Sequence, residues 1–215
     1  MSAAREEAAS PGPRGVIWAH LPLNLLLAVR AHDHPGEILE AEDLTASLPR
    51  RLGLSEVIDR EIRNYERAAR RGRKVDAGDV TNLVRLVLRR PDSEAILRDT
   101  GQRVAAEYAR RVPRLWRRTA RAMPARLSLV LARRAARRLL RRIIGDGAVE
   151  VARRPPAVRV RSVLSGTDAT GTACVLYSAA IEEIVRTYAG DRLRVEQRRC
   201  ASEGAGFCEW TIAEA

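Results

Sequence analysis

The 215-residue chain predicts an α+β fold: a helical N-terminal two-thirds packed on a small antiparallel sheet, with a C-terminal part running strand-strand-helix-strand-strand. Three observations carry this reading. Apolar residues recur at helical spacing as far as Ile144, they alternate with period two after Gly145-Asp-Gly147, and one apolar helical segment headed by Cys174 interrupts the strands. A hydrophobic content of 46% with mixed charge suits a folded core and argues against disorder.

Residues 1–14, polar with two prolines and a glycine, read as a loose tail, and 15–75 as a helical extension. Val16 to Val29 is apolar but shorter than the ~20 residues a bilayer span needs. It is also broken by His20, Pro22 and Asn24 and has no basic stretch ahead of it, so a packed helix or hairpin is expected in place of a signal peptide. In His32-Asp-His34 the alternate histidines would chelate in a strand, but Pro35-Gly36 signals a turn, which favours a solvated loop. Leu54, Val57, Ile58, Ile62 and Tyr65 form a helical stripe, and Val80, Leu83, Val84, Val87 and Leu88 form another behind Asp79 as N-cap. Arg70 to Asp79 reads as the linker between them. A further helix starts at Asp92 or Ser93, carries Ile96, Val104 and Tyr108 on one side, and is ended by Pro113.

The net charge of +12 is concentrated. Fifteen arginines between Arg110 and Arg154 face only Asp146 and Glu150, so this stretch alone exceeds the charge of the whole chain. From Arg133 to Ile144 arginine doublets alternate with apolar doublets. At ~100° per residue, Arg133, Arg134, Arg137, Arg138, Arg141 and Arg142 fill one half of the helix, and Ala135, Ala136, Leu139, Leu140 and Ile143 fill the other. Leu127, Val130 and Leu131 project onto the arginine side, so the upstream turns are expected to bury a different face or bend. The basic face reads as solvated surface, with an anionic membrane as a partner; nucleic acid is disfavoured because Trp116 alone interleaves with the arginines.

Beyond Gly147, Ala148–Ala152 and Ala157–Val163 alternate as a hairpin across Arg153 to Pro156, and a Ser165–Gly171 loop leads to the Cys174 helix. Arg192–Cys200 and Phe207–Ile212 alternate again, joined by a turn with Gly204 and Gly206, so Cys200 and Cys208 fall at adjacent hairpin ends. Three cysteines cannot all pair within one chain, which favours a reducing, cytoplasmic setting. Cys174, Cys200 and Cys208 could surround one ion, zinc by the softness of thiolates, with Glu196 or Gln197 nearest as a fourth ligand. The alternative is that Cys174 is a small buried apolar residue and the other two line the hairpin.

The segment from Cys200 through Gly204 and Cys208 to Trp210 resembles the end of the 4-vinyl reductase domain family. The likeness extends to Cys174–Val185, and to Thr100–Pro113 and Met123–Leu127, which are similar to the bacteriochlorophyll 4-vinyl reductase branch. It covers roughly residues 76 to 213, so 76–215 is expected as the ligand-binding domain. The resemblance implies that Cys174, Cys200 and Cys208 are metal ligands. The family's glutamate three residues before the middle cysteine falls on Gln197, with Glu196 one residue earlier, and a β-bulge would turn Glu196 inward.

The resemblance also implies a ligand, a tetrapyrrole intermediate or another hydrophobic aromatic molecule, and an accessory role in bacteriochlorophyll-type synthesis. Tyr108, Trp116 and Tyr177 are the candidates to line its cleft, and arginines at the mouth suit propionates. The family name implies a reductase, but the Gly145-x-Gly147 turn lacks the third glycine of a dinucleotide site and three cysteines are too few for a four-thiolate cluster. Ser162, Ser165 and Ser178 have no histidine near in sequence. A ligand carrier or sensor-like module is therefore favoured over a reductase working with an electron-supplying partner. A homodimer and peripheral membrane contact are the further partners expected.

Overall fold

The structure, a computed structural model, describes residues 15–33, 44–144, 148–152, 156–161 and 171–214, with the backbone alone for 44–56 and 148. The expected tail at 1–14, His34 with its Pro35-Gly36 turn, the side chain of Leu54, the Gly145–Gly147 turn, the centre of the first hairpin and the loop before Gly171 lie outside the described residues.

Seven helices and six strands are described: β1 Val16–Trp18, α1 His20–His32, α2 Leu44–Arg70, β2 Lys74–Asp76, α3 Ala77–Leu88, α4 Ser93–Arg110, α5 Arg114–Ala122, α6 Ala125–Ile143, β3 Ala148–Ala152, β4 Ala157–Arg161, α7 Ala173–Ala189, β5 Leu193–Arg199 and β6 Cys208–Glu214. The α+β class and the strand-strand-helix-strand-strand ending are as the sequence predicts. The four C-terminal strands form one antiparallel sheet in the order β3-β4-β6-β5, with α7 packed against it.

Three local expectations are corrected. Val16–Val29 is the expected packed helix only from His20 onward, because its first three residues form a strand that pairs with β2, Trp18 opposite Lys74. The stretch read as a linker therefore holds a strand, and α3 starts at Ala77 with Asp76 as its N-cap instead of Asp79. The Asp76 carboxylate accepts from the Gly78 and Asp79 backbone N–H groups at 2.7 and 3.3 Å, satisfying two donors of the first turn. In the second helix Val57 is exposed, while Ile62 is buried beside Leu23 and Leu26 of α1.

Helix α7 is the centre of the core, in contact with α4, α5, α6 and β5. Leu176, Tyr177, Ala179, Ala180, Ile181, Ile184 and Val185 are all buried, on more than one side of the helix, as a helix between other layers requires. Each fully buried large side chain among them contributes about 1.5–3 kcal/mol of apolar transfer. Gly101 is where α4 comes closest: a Cβ there would lie 2.3 Å from the Leu176 carbonyl oxygen and 3.0 Å from Ala179 Cβ. The crossing exists because residue 101 has no side chain.

Helix α6 buries Ala135, Ala136, Leu139, Leu140 and Ile143 and exposes Arg134, Arg137, Arg138, Arg141 and Arg142, as the helical wheel predicts, with Arg133 half-buried. Its upstream turns do not switch faces: Ser128 and Ala132 continue the same buried stripe, and Leu127 and Val130 remain exposed. Among the described residues, no helix is long and apolar enough to cross a membrane.

Candidate metal centre

Three separate elements deliver the cysteines. Cys174 lies in the first turn of α7, its N–H bonded to the Gly171 carbonyl at 2.9 Å. Cys200 follows β5, and Cys208 opens β6 opposite Val160 of β4, on the helix-facing side with Trp210 and Ile212. A β-bulge between Gln197 and Arg199 leaves Arg198 as the extra residue and resets the alternation just before Cys200, which is buried.

The sulfurs of Cys174 and Cys208 are 3.0 Å apart, those of Cys174 and Cys200 3.4 Å, and all three lie within 4.8 Å of one another. None is disulfide-bonded. Thiolates at ~2.3 Å around a tetrahedral ion stand about 3.8 Å apart, so a small outward movement of each sulfur fits the group to a metal. Ser202 Oγ donates to Cys200 Sγ at 2.9 Å, and the Ala201 N–H donates to Cys208 Sγ at 3.4 Å. Such donors stabilise thiolate charge. The Cys174 thiol is pushed well above its ordinary value, first by its hydrogen bond with Cys208 and then by burial. Without a cation to bind, that proton stays; a metal would displace it.

Gly171, at φ +77°, lets the chain pass over the sulfurs. A Cβ there would fall 2.8 Å from Ser202 Oγ and 3.0 Å from Cys200 Sγ, so the backbone itself forms one wall of the site.

Glu196 is not brought to the cysteines. It pairs with Thr211 across the sheet, and its carboxylate bridges Arg194 at 3.3 Å and Arg198 at 2.7 Å. The bulge that would have turned it inward lies after it, so Glu196 keeps the outer face and the correction falls on the fourth ligand. Gln197 takes the helix-facing side: its Oε1 accepts from Ser178 Oγ at 3.3 Å, and Ser178 accepts from Trp210 Nε1 at 2.7 Å. This chain ties β5 and β6 to α7 one turn beyond Cys174. Ser178 is thus a structural hydrogen-bond partner in this arrangement.

Residues 159–214 match the 4-vinyl reductase domain.

The matched 4-vinyl reductase segment takes in all three cysteines, α7 and the sheet from the middle of β4 onward. It is narrower than the expected 76–213, and it carries the domain without singling out the bacteriochlorophyll branch. No curated protein and no solved structure matches the chain.

The three aromatic residues expected around a ligand are differently placed. Tyr177 is fully buried, edge-on to Trp210 with ring centroids 6.2 Å apart. Tyr108 is buried at the end of α4 beneath the Arg142 guanidinium, 5.4 Å away. Trp116, on α5, is 59% exposed and outside the core that holds the two tyrosines. Sequence reasoning missed Ser202 and Gly171. Their only signal was proximity, Ser202 two residues after one cysteine and Gly171 three before another.

Proposed function

We propose that the chain is a small-molecule-binding protein of the 4-vinyl reductase domain type in which zinc, held by Cys174, Cys200 and Cys208, pins the closing hairpin to α7. The observation that carries the metal is the convergence of three buried sulfurs, two from the ends of the closing hairpin and one from the start of α7, 26 and 34 residues away. Zinc suits an all-thiolate set, and water or Gln197 is the natural fourth ligand. The ligand we assign is hydrophobic and planar, of the chlorophyll-precursor class, and the role is that of carrier or accessory factor. The domain match and the likeness of the cysteine motif support it.

Native mass spectrometry of protein purified under reducing conditions tests both parts. One equivalent of zinc is expected, and Cys200→Ser or a strong chelator should lower the melting temperature; no zinc together with unchanged melting in chelator removes the metal. A divinyl tetrapyrrole should bind with a spectral shift that survives high salt, without turnover on NADPH alone. Sustained vinyl reduction by the isolated protein would replace the carrier reading with an enzymatic one.

A second reading, peripheral contact with an anionic membrane, rests on α5 and the start of α6. Leu115 is 72% exposed, and Trp116, Leu127 and Val130 are exposed with it among Arg114, Arg118, Arg121 and Arg126. Exposed apolar residues interspersed with arginine suit the boundary between headgroups and acyl chains. Flotation with anionic vesicles should be lost on Leu115→Ser with Trp116→Ser.

A further inference from the structure

Outside the segment that matches the 4-vinyl reductase domain, a cleft of about 260 Å³ lies between the β1–β2 ribbon and the C-terminal ends of α4 and α6. Four cations line it, Lys74, Arg111, Arg141 and Arg142, together with Trp18 and Gly72. No carboxylate lines it, and none of the four forms an ion pair with a carboxylate among the described residues. We propose that this cleft binds a small phosphate-bearing anion.

The cations are held in place by groups that leave their charge uncompensated. Arg111 lies 4.9 Å and Arg142 5.7 Å over the Trp18 ring, so two guanidiniums share one buried indole. Arg142 also stacks on Tyr108. The Arg111 guanidinium donates to His20 Nε2 at 2.8 Å, which fixes its plane through a neutral partner. Lys74 is fixed by the ribbon, directly across from Trp18. The carbonyl ends of α4 and α6 favour a cation at each terminus singly. They do not offset the repulsion of four like charges brought into one concavity, which an anion does.

Phosphate is the chemistry that fits. Planar guanidiniums bind its oxygens two at a time, and a tetrahedral group accepts from donors on several sides, whereas a single carboxylate presents one plane. The volume lies below that of ordinary ligand pockets and admits a phosphate or diphosphate head, not a large ring system. At Gly72, φ +64° in the turn between α2 and β2, a Cβ would meet nothing within 4 Å, so the rim is open there for whatever the phosphate is attached to.

The probe is inorganic pyrophosphate, titrated into the full chain by calorimetry and thermal shift against sodium chloride of matched ionic strength. Saturable binding is expected, weakening with added salt. Lys74→Gln with Arg141→Gln, both exposed and outside the core, should lower the affinity at least tenfold without lowering the unliganded melting temperature. Arg134→Gln with Arg137→Gln, on the same basic helix but outside the cleft, should leave affinity within twofold. Pyrophosphate that stabilises no more than matched chloride, or an equal loss from both pairs, overturns the proposal. Vesicles of phosphatidylcholine with phosphatidic acid separate the source: binding lost with the Lys74/Arg141 pair and competed by pyrophosphate assigns the phosphate to a lipid headgroup. Pyrophosphate binding without vesicle binding assigns it to a soluble ligand.

Discussion

Gly101→Ala places one methyl group where α4 comes closest to α7. Its Cβ would sit 2.3 Å from the Leu176 carbonyl oxygen, about 1 Å inside ordinary contact, with Ala179 Cβ and the Ala180 nitrogen at 3.0 Å. Two of these three atoms are backbone, so no rotamer change relieves the clash and α4 must separate from α7. In helix propensity alone the substitution gains about 1 kcal/mol. Overpacking of this kind costs about 1–3 kcal/mol, and the immobility of the carbonyl puts it at the upper end, for a net loss of about 2 kcal/mol. In a chain of this size that lowers the melting temperature by about 4–8 °C. Since α7 carries Cys174, the shift should also speed loss of the proposed metal to a chelator. Urea denaturation followed by circular dichroism, with exposed Gln102→Ala as the reference for propensity, measures the balance. A Gly101→Ala protein as stable as wild type or more so would show that the crossing is looser than the geometry requires.

Gln197→Glu should slow loss of the proposed metal to a competing chelator, because it puts a carboxylate on the helix-facing side, while Glu196→Gln should leave metal retention unchanged and stability within about 0.5 kcal/mol, as expected for exposed ion pairs. Arg134→Glu with Arg138→Glu should fold normally, whereas Leu139→Asp, which buries a charge without a partner, should cost more than about 4 kcal/mol; the reverse order in a melting assay would invert the assignment of the α6 faces. His20 has its pKa lowered below 6.5, first by burial and then by Arg111, so the unfolded chain takes up its proton first as pH falls. Its contribution to stability is therefore full above about pH 6.5 and declines below it, and His20→Gln should show a shallower loss between pH 7 and 5 in protein kept in chelator.

The class of fold and the order of its C-terminal elements were legible because they depend on period. Alternation in Ala157–Arg161 and Cys208–Glu214, and the doublet rhythm of Arg133–Ile144, state which face is buried whatever the partner. Spacing within the last hairpin also brought Cys200 and Cys208 to adjacent strand ends. The ribbon was not legible, since Val16–Trp18 and Lys74–Asp76 are three residues each and acquire strand character only from pairing across more than fifty residues. The same holds for whether Glu196 or Gln197 shares a face with Cys200: one extra residue at Arg198 decides it, and a bulge leaves no mark on composition. Nor did sequence reveal that Arg111 and Arg142 meet over Trp18 in a cleft that Lys74 also lines, because helix ends remote along the chain converge only when the core between them closes. Local periodicity determined which residues are buried, and tertiary packing decided which of the polar ones face each other, because that depends on strand register and helix crossings that no single segment contains.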